Sequence, residues 1–130
     1  MSQENVEVVR CMWEAFLRGD FEAALSAFDS DVEWDGTNLP DGRVARGRDA
    51  VRDHTARWAS TWADWRVELD QFIDAGDEVV LFIREKGLSK SGIEVDERHA
   101  EVYTVRHGRI VRRRGFSDGK EALEAVGLSE

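Results

Sequence analysis

The chain has 130 residues, of which 42% are hydrophobic and 35% charged, a globular composition that suits one domain and argues against disorder. Its net charge of −9 argues against nucleic-acid binding, because an acidic surface repels phosphate backbones. The lone Cys11 excludes an internal disulfide, no apolar run approaches the ~20 residues of a membrane span, and the N-terminus does not resemble a signal peptide. We therefore expect a cytoplasmic protein that binds neither membranes nor nucleic acid.

The first half of the chain is predicted to be mainly helical. A first helix carries apolar residues at helical spacing and ends at Gly19, and Asp20 caps a short second helix. A third helix is predicted from about Arg48 to Trp62, with His54 on the flank of its apolar stripe. That stripe consists of Val51, Thr55, Trp58 and Trp62.

The second half is predicted to form a sheet. Strands are predicted at 32–35, 65–74 and 79–83, and in a hairpin at 97–118. A turn is predicted at 29–31 and a loop at 36–46, and Asp118 caps a last short helix. A block of helices followed by a block of strands predicts an α+β fold, with helices packed on one face of an antiparallel sheet. A bent sheet closed by helices leaves a cone, whose open mouth suits a small-molecule pocket.

The loop of the hairpin at 97–118 decides which side chains share a face. A two-residue turn would require positive φ at His107, which disfavours it. A three-residue loop at 106–108 is predicted instead, with Gly108 in the left-handed conformation. A two-residue loop would shift the strand register by one residue and exchange the two faces.

With the three-residue loop, the predicted register places a carboxylate, a phenol and a guanidinium on one face of the hairpin, and they point into the cavity if that face is the concave one. Tyr103 then lies opposite Val111, and Glu101 lies opposite Arg113. The ionisation of Glu101 depends on this register. A neighbouring Arg113 would hold Glu101 as an ion-paired carboxylate, whereas an outward Arg113 would leave it a neutral acid.

The element order and four stretches of the sequence resemble the nuclear transport factor 2-like superfamily, in particular its SnoaL-like polyketide cyclases and ketosteroid isomerases. The stretches are WEAFLRGDFEAALSAFDSDVEW, RGRDAVRDH, YTVRHGRIV and GFSDGKEALEAVGL. The resemblance implies one SnoaL-like domain over residues 1–130, in which a cone-shaped, curved antiparallel sheet packs against three N-terminal helices with a short C-terminal helix. It also implies chemistry without a cofactor and a homodimer through the exposed sheet face.

The resemblance also implies catalytic roles. In ketosteroid isomerases an Asp base moves a proton beside a ketone, while a Tyr and a neutral acid hold the enolate oxygen. The matching stretches place Asp35 at the base, Glu101 at the neutral acid and Met12 at the tyrosine. Methionine cannot donate a hydrogen bond, so one oxyanion donor is missing. His54 matches a pocket-lining position and is a candidate base or donor, and His99 could serve instead.

Aromatic side chains are predicted to form the walls of the expected pocket. Trp34, Trp58 and Tyr103 are predicted to contact a small apolar or aromatic ligand, and Arg113 could recognise a carboxylate on it. Core packing is the alternative for each ring, and a solvated strand-end carboxylate is the alternative for Asp35. The histidines are scattered along the sequence, so no metal site is expected.

Three functions remain open from the sequence. The first is a cofactor-independent acid–base isomerase or cyclase that acts on a small apolar carbonyl or polyketide-like compound. The second is a non-catalytic domain that binds a small apolar ligand. The third is an interaction scaffold whose own tryptophans fill the cone.

Overall fold

The computed structural model describes residues 2–38 and 42–128. Within these residues the chain forms four helices and six strands. The helices are α1 (Ser2–Leu17), α2 (Phe21–Ser26), α3 (Gly47–Thr61) and α4 (Gly119–Ala125). The strands are β1 (Phe28–Asn38), β2 (Val44–Arg46), β3 (Trp62–Ala75), β4 (Glu78–Ser89), β5 (Glu94–Arg106) and β6 (Arg109–Phe116). Their order in one sheet is β2-β1-β6-β5-β4-β3, which confirms the predicted α+β architecture.

Local signals fix the ends of the helices as predicted. Gly19 adopts a φ of +85° after α1, a conformation that glycine reaches without steric cost. The Asp20 side chain accepts a hydrogen bond from the Ala23 N–H, and Asp118 accepts one from the Lys120 N–H. These two N-caps begin α2 and α4. Of the described helices, none is long and apolar enough to cross a membrane.

The strand β1 is longer than predicted. Residues 29–31, expected as a turn, belong to this strand, and it continues to Asn38 through part of the expected loop. Within the same predicted loop, residues 44–46 form the strand β2, whereas residues 39–41 lie outside the described residues. β1 runs parallel to β6, whereas the other strand pairs of the described sheet are antiparallel. The long connection between β1 and β6 makes this parallel pairing possible.

The β5–β6 hairpin turns on two residues, so the predicted three-residue loop is wrong. Arg106 pairs with Arg109 on either side of His107 and Gly108. His107 has a φ of +53° and Gly108 a φ of +76°, the two positive values that a type I′ turn requires. The right-handed twist that this turn matches outweighs the steric cost at the histidine.

A bulge in β6 restores the predicted face. Val105 pairs with Ile110 but Thr104 pairs with Arg112, so Val111 is an extra residue in β6. Beyond the bulge Arg113 lies opposite Tyr103, two positions from the predicted register. A shift of two residues preserves the face of a side chain, and Arg113 therefore still points to the concave side.

The two faces of the sheet bury different clusters. On the concave face, alternate residues of β4 such as Leu81 pack with α1 residues such as Val9. On the outer face, Ala122 of α4 packs with Val80 and Val102. The short helix thus covers part of the sheet face through which a homodimer was predicted, and that dimer stays a prediction.

Candidate functional site

A cavity of about 440 Å³ opens between the helices and the concave face of the sheet. This volume lies in the ~300–1,000 Å³ range of small-molecule sites. Its walls are mainly apolar and rich in aromatic rings, which include Trp13, Phe16, Phe28, Trp34, Trp58 and Trp65. The rings brace one another: the Trp65 centroid lies 6.0 Å from that of Phe16 and 6.5 Å from that of Trp58, both edge-on.

The structure brings most of the predicted site residues to this cavity. The residues that line it include His54, Glu101, Trp34, Trp58, Tyr103 and Arg113. Met12, which stands where ketosteroid isomerases have a tyrosine, lines it as well. Its thioether offers only a weak acceptor, so no oxyanion donor stands at that position.

Asp35 is the exception, and its predicted position beside the cavity is wrong. It is not among the described residues that line the cavity. Successive side chains of a strand point to opposite faces, so Trp34 turns inward and Asp35 outward. The Asp35 carboxylate accepts hydrogen bonds from the Thr37 N–H at 2.9 Å and from Arg112 Nη2 at 3.2 Å. The hydrogen bonds from the Thr37 side chain and backbone, followed by the hydrogen bond and charge of Arg112, outweigh burial and lower the pKa of Asp35.

The floor of the cavity is a buried polar chain centred on Glu101. This carboxylate accepts hydrogen bonds from the Tyr103 hydroxyl and from Arg113 Nη2, the latter at 2.6 Å. His99 Nε2 lies 3.1 Å from its Oε2 atom, within hydrogen-bond distance. The Tyr103 oxygen in turn accepts a bond of 3.1 Å from Trp13 Nε1. Each residue of this chain therefore has at least one side-chain atom within hydrogen-bond distance of another member, although Arg113 Nε and His99 Nδ1 have no hydrogen-bond partner among the described residues.

These contacts fix the ionisation of Glu101. Burial disfavours its charged form, but the charges and hydrogen bonds of Arg113 and His99 outweigh burial and hold the pKa of Glu101 well below its usual range. Burial and the neighbouring carboxylate raise the pKa of Tyr103, which keeps the phenol neutral. Of the two alternatives left open by the sequence, the structure favours the ion-paired carboxylate. In that state Glu101 orients its neighbours and is no proton donor.

The Arg113 guanidinium contacts other side chains of the protein and is not free to bind a ligand. Its guanidinium bonds to Glu101, and its Cζ atom lies 4.3 Å from the ring centroid of Trp34. The Trp34 ring also contacts His54, with centroids 5.5 Å apart. A ligand carboxylate would therefore compete with Glu101 for this guanidinium, which argues against the predicted recognition of an anion.

The polar chain continues through His99 to a second carboxylate. His99 Nδ1 lies 3.3 Å from Glu85 Oε1, and Trp65 Nε1 donates to Glu85 Oε2 at 2.8 Å. Burial raises the pKa of Glu85. Burial disfavours the charged imidazole of His99, but the two carboxylates outweigh it and raise the pKa of His99. The His99 imidazole therefore lies between two acidic side chains, with one ring nitrogen facing each of them.

Sequence reasoning missed Glu85, Glu97 and Trp65 as cavity residues. A signal for Glu85 was present, because Leu81 and Ile83 face the core and strict alternation brings Glu85 to the same face. The predicted strand ended too early, at residue 83. Glu85, Glu97 and His99 each offer one ligand atom, and within the described part of the chain these atoms lie within 4.8 Å of one another. The three side chains could therefore hold a metal ion, although the sequence predicted no such site.

Comparison with known proteins supports the fold and the family. An NTF2-like protein of unknown function from Burkholderia pseudomallei superposes with a TM-score of 0.78 at 25% identity, over 95% of this chain and 97% of that chain. A protein from Xanthomonas campestris pv. campestris, provisionally assigned as a polyketide cyclase, gives a TM-score of 0.73 at 24% identity, over 95% and 97% of the two chains.

A third structure carries a ligand. RV0760c from Mycobacterium tuberculosis, in complex with estradiol-17beta-hemisuccinate, gives a TM-score of 0.74 at 20% identity, over 88% of this chain and 94% of that chain. A comparison with curated proteins gives no match. The SnoaL-like domain family matches residues 9–113. With its NTF2-like cone and this match across most of its length, the chain belongs to the SnoaL-like family.

Proposed function

We propose that the protein binds a small, flat, mainly apolar molecule in its cavity. The observation that carries the proposal is a space of about 440 Å³ with aromatic walls and a buried polar floor. Such walls contact the faces of a planar ligand, and a few polar groups fix the orientation of its polar end. The complex of RV0760c with estradiol-17beta-hemisuccinate supports the proposal, because it shows that a protein of this fold can hold a small molecule.

Thermal unfolding in the presence of a compound panel tests this proposal. The panel contains steroids, polycyclic aromatics, enolisable ketones and aromatic carboxylates. A ligand at a hundredfold excess over its Kd stabilises the folded state by about 2.7 kcal/mol. We expect neutral flat compounds to raise the Tm more than carboxylates, since Glu101 already neutralises Arg113.

Two matched variants locate the binding. Trp58→Ala removes a ring of the cavity wall, whereas Phe82→Ala removes a ring that packs in the outer cluster near α4. Titration calorimetry should show weaker binding for Trp58→Ala and unchanged affinity for Phe82→Ala. A panel without any stabilising compound, or equal affinity loss in both variants, would reject the cavity as a ligand site and favour the scaffold.

The finer proposal is acid–base chemistry of the isomerase or cyclase type on the bound molecule. What supports it is the presence of imidazoles at a cavity that suits an apolar carbonyl compound: His54 on α3 and His99 on β5 line the described cavity. Glu101 orients His99 through the contact at Nε2. Since Asp35 lies outside the cavity and Met12 replaces the phenol, steroid isomerisation by the ketosteroid isomerase constellation is not proposed.

Hydrogen exchange separates this enzyme from a non-catalytic binder. An enolisable ketone that binds is incubated with the protein in D₂O, and deuterium uptake beside the carbonyl is followed by NMR. Acid–base chemistry predicts uptake that depends on the protein and that falls by orders of magnitude in His54→Gln or His99→Gln while binding persists. Binding without exchange in the unmodified protein would leave the non-catalytic domain as the function.

A further inference from the structure

Two carboxylates face each other at one end of the cavity. Glu85 on β4 and Glu97 on β5 are direct cross-strand neighbours, and both side chains line the cavity. Like charges at directly opposed positions of a sheet destabilise it. Glu85 is buried as well, which adds a desolvation cost to its charge. A cation between or beside the two carboxylates would relieve both costs.

His99 supplies a nitrogen at the same place. It lies two residues from Glu97 on the same face of β5, and its side chain is only 9% exposed. Its Nδ1 atom is 3.3 Å from Glu85 Oε1, yet this buried atom has no hydrogen-bond partner among the described residues. In the tautomer that carries its proton on Nε2, this buried nitrogen offers a lone pair beside the carboxylate of Glu85, which is a ligand position for a metal ion.

The groups behind these three side chains resemble the outer shell of a metal site. A histidine that ligates a metal usually donates its other N–H to a carboxylate, and His99 Nε2 lies 3.1 Å from Glu101. The oxygen of Glu85 that does not face His99 accepts a bond from Trp65 Nε1 at 2.8 Å. Glu85 Oε1 and His99 Nδ1 are thereby both held in orientation by neighbouring groups.

We propose that Glu85, Glu97 and His99 bind one divalent first-row transition-metal ion. Their ligand atoms lie within 4.8 Å of one another, and one imidazole nitrogen with two carboxylate oxygens suits ions such as Mn²⁺ and Zn²⁺. Three protein ligands leave a further coordination position for water or a ligand atom. The inference goes beyond the proposed binding of a small molecule and does not depend on it.

Metal titration tests the site directly. Untagged protein with Cys11→Ser is stripped with a chelator, dialysed and titrated with MnCl₂ or ZnCl₂ in a calorimeter, with Tm as a second readout. The cysteine is replaced because its exposed thiol also binds Zn²⁺. We expect one ion per chain and a higher Tm with the ion present.

Two glutamates of β5 provide the matched comparison. Glu97 is exposed, so Glu97→Gln should fold normally, and its affinity should fall by more than the roughly 10–100-fold that loss of an outer-shell partner causes. Glu94→Gln changes an exposed carboxylate on the other face of the same strand and should bind as tightly as the parent.

Two results would overturn the proposal. One is the absence of stoichiometric binding of either ion to the parent protein, which would mean that a protonated His99 balances the carboxylates. The other is equal affinity of Glu97→Gln and Glu94→Gln, which would place the ion elsewhere on the acidic surface. Neither result bears on the compound panel, which is run on chelator-treated protein and reports small-molecule binding separately.

Discussion

Arg112 and Arg113 are neighbours on β6 but serve opposite faces of the sheet. On the outer face Arg112 pairs with Asp35, with side chains 41% and 14% exposed. On the cavity face Arg113 pairs with Glu101, with side chains 7% and 5% exposed. An arginine–carboxylate pair thus occurs twice, once in contact with water and once almost without it. Water screens the outer pair, so only the inner pair becomes a strong constraint on the structure.

The largest expected effect comes from breaking the inner pair. Arg113→Met keeps an apolar stem over Trp34 but leaves the buried charge of Glu101 without its guanidinium. We expect a loss of about 3–5 kcal/mol in the free energy of unfolding, measured by urea denaturation.

A double variant tests whether the unpaired charge of Glu101 causes the loss of stability in Arg113→Met. Glu101→Gln combined with Arg113→Met removes both charges and keeps a side chain that can bond to Tyr103. We expect it to recover most of the stability lost in the single variant. A double variant no more stable than Arg113→Met alone would mean that lost packing, rather than an unpaired charge, explains the effect.

An intermediate loss of stability is expected when the Tyr103 hydroxyl is removed from the floor of the cavity. Tyr103→Phe removes the hydroxyl that donates to Glu101 Oε1 and accepts from Trp13 Nε1, so these two atoms lose that hydrogen-bond partner. Unfolding should become easier by about 1–3 kcal/mol. Thr104→Val is the control on the opposite face, since its hydroxyl makes one contact of 3.3 Å with Glu78. Equal losses in the two variants would contradict the contrast between the faces.

The smallest loss of stability is expected when the ion pair on the outer face is broken. Asp35→Asn removes a charge from a pair that reaches solvent, and an amide oxygen at this position can still accept the Thr37 N–H bond. We expect a change of about 1 kcal/mol or less in the free energy of unfolding, and no change in the affinity of any compound found in the panel. A large loss of affinity in Asp35→Asn would restore the role that the sequence predicted for this residue.

The sequence predicts the architecture well because helical spacing, glycine stops and capping residues are local signals. Gly19 and Asp20 mark the boundary between α1 and α2 in both the prediction and the structure. The parallel pairing of β1 with β6 is a long-range contact, and no local pattern predicts it. Strand length is also poorly signalled, which is why part of β1 was interpreted as a turn.

The site was predicted in part for the same physical reasons. Alternation along β5 correctly places Glu101 and Tyr103 on the cavity face. The error for Asp35 came from a family role assigned against alternation, since Trp34 and Asp35 cannot both face inward along a regular strand. Glu85 was missed because charge at the end of an apolar run was taken to end the strand.

The bulge at Val111 also bears on how this chain can change over evolutionary time. A loop that gains or loses one residue normally inverts every side chain that follows it. A bulge absorbs that single residue, so an insertion or deletion at the hairpin tip can be compensated within the adjoining strand. Lineages of this fold could therefore vary the length of the tip while Arg113 stays inside the cone. Alignments that allow no gap within β6 would place this arginine one position away from its structural counterparts.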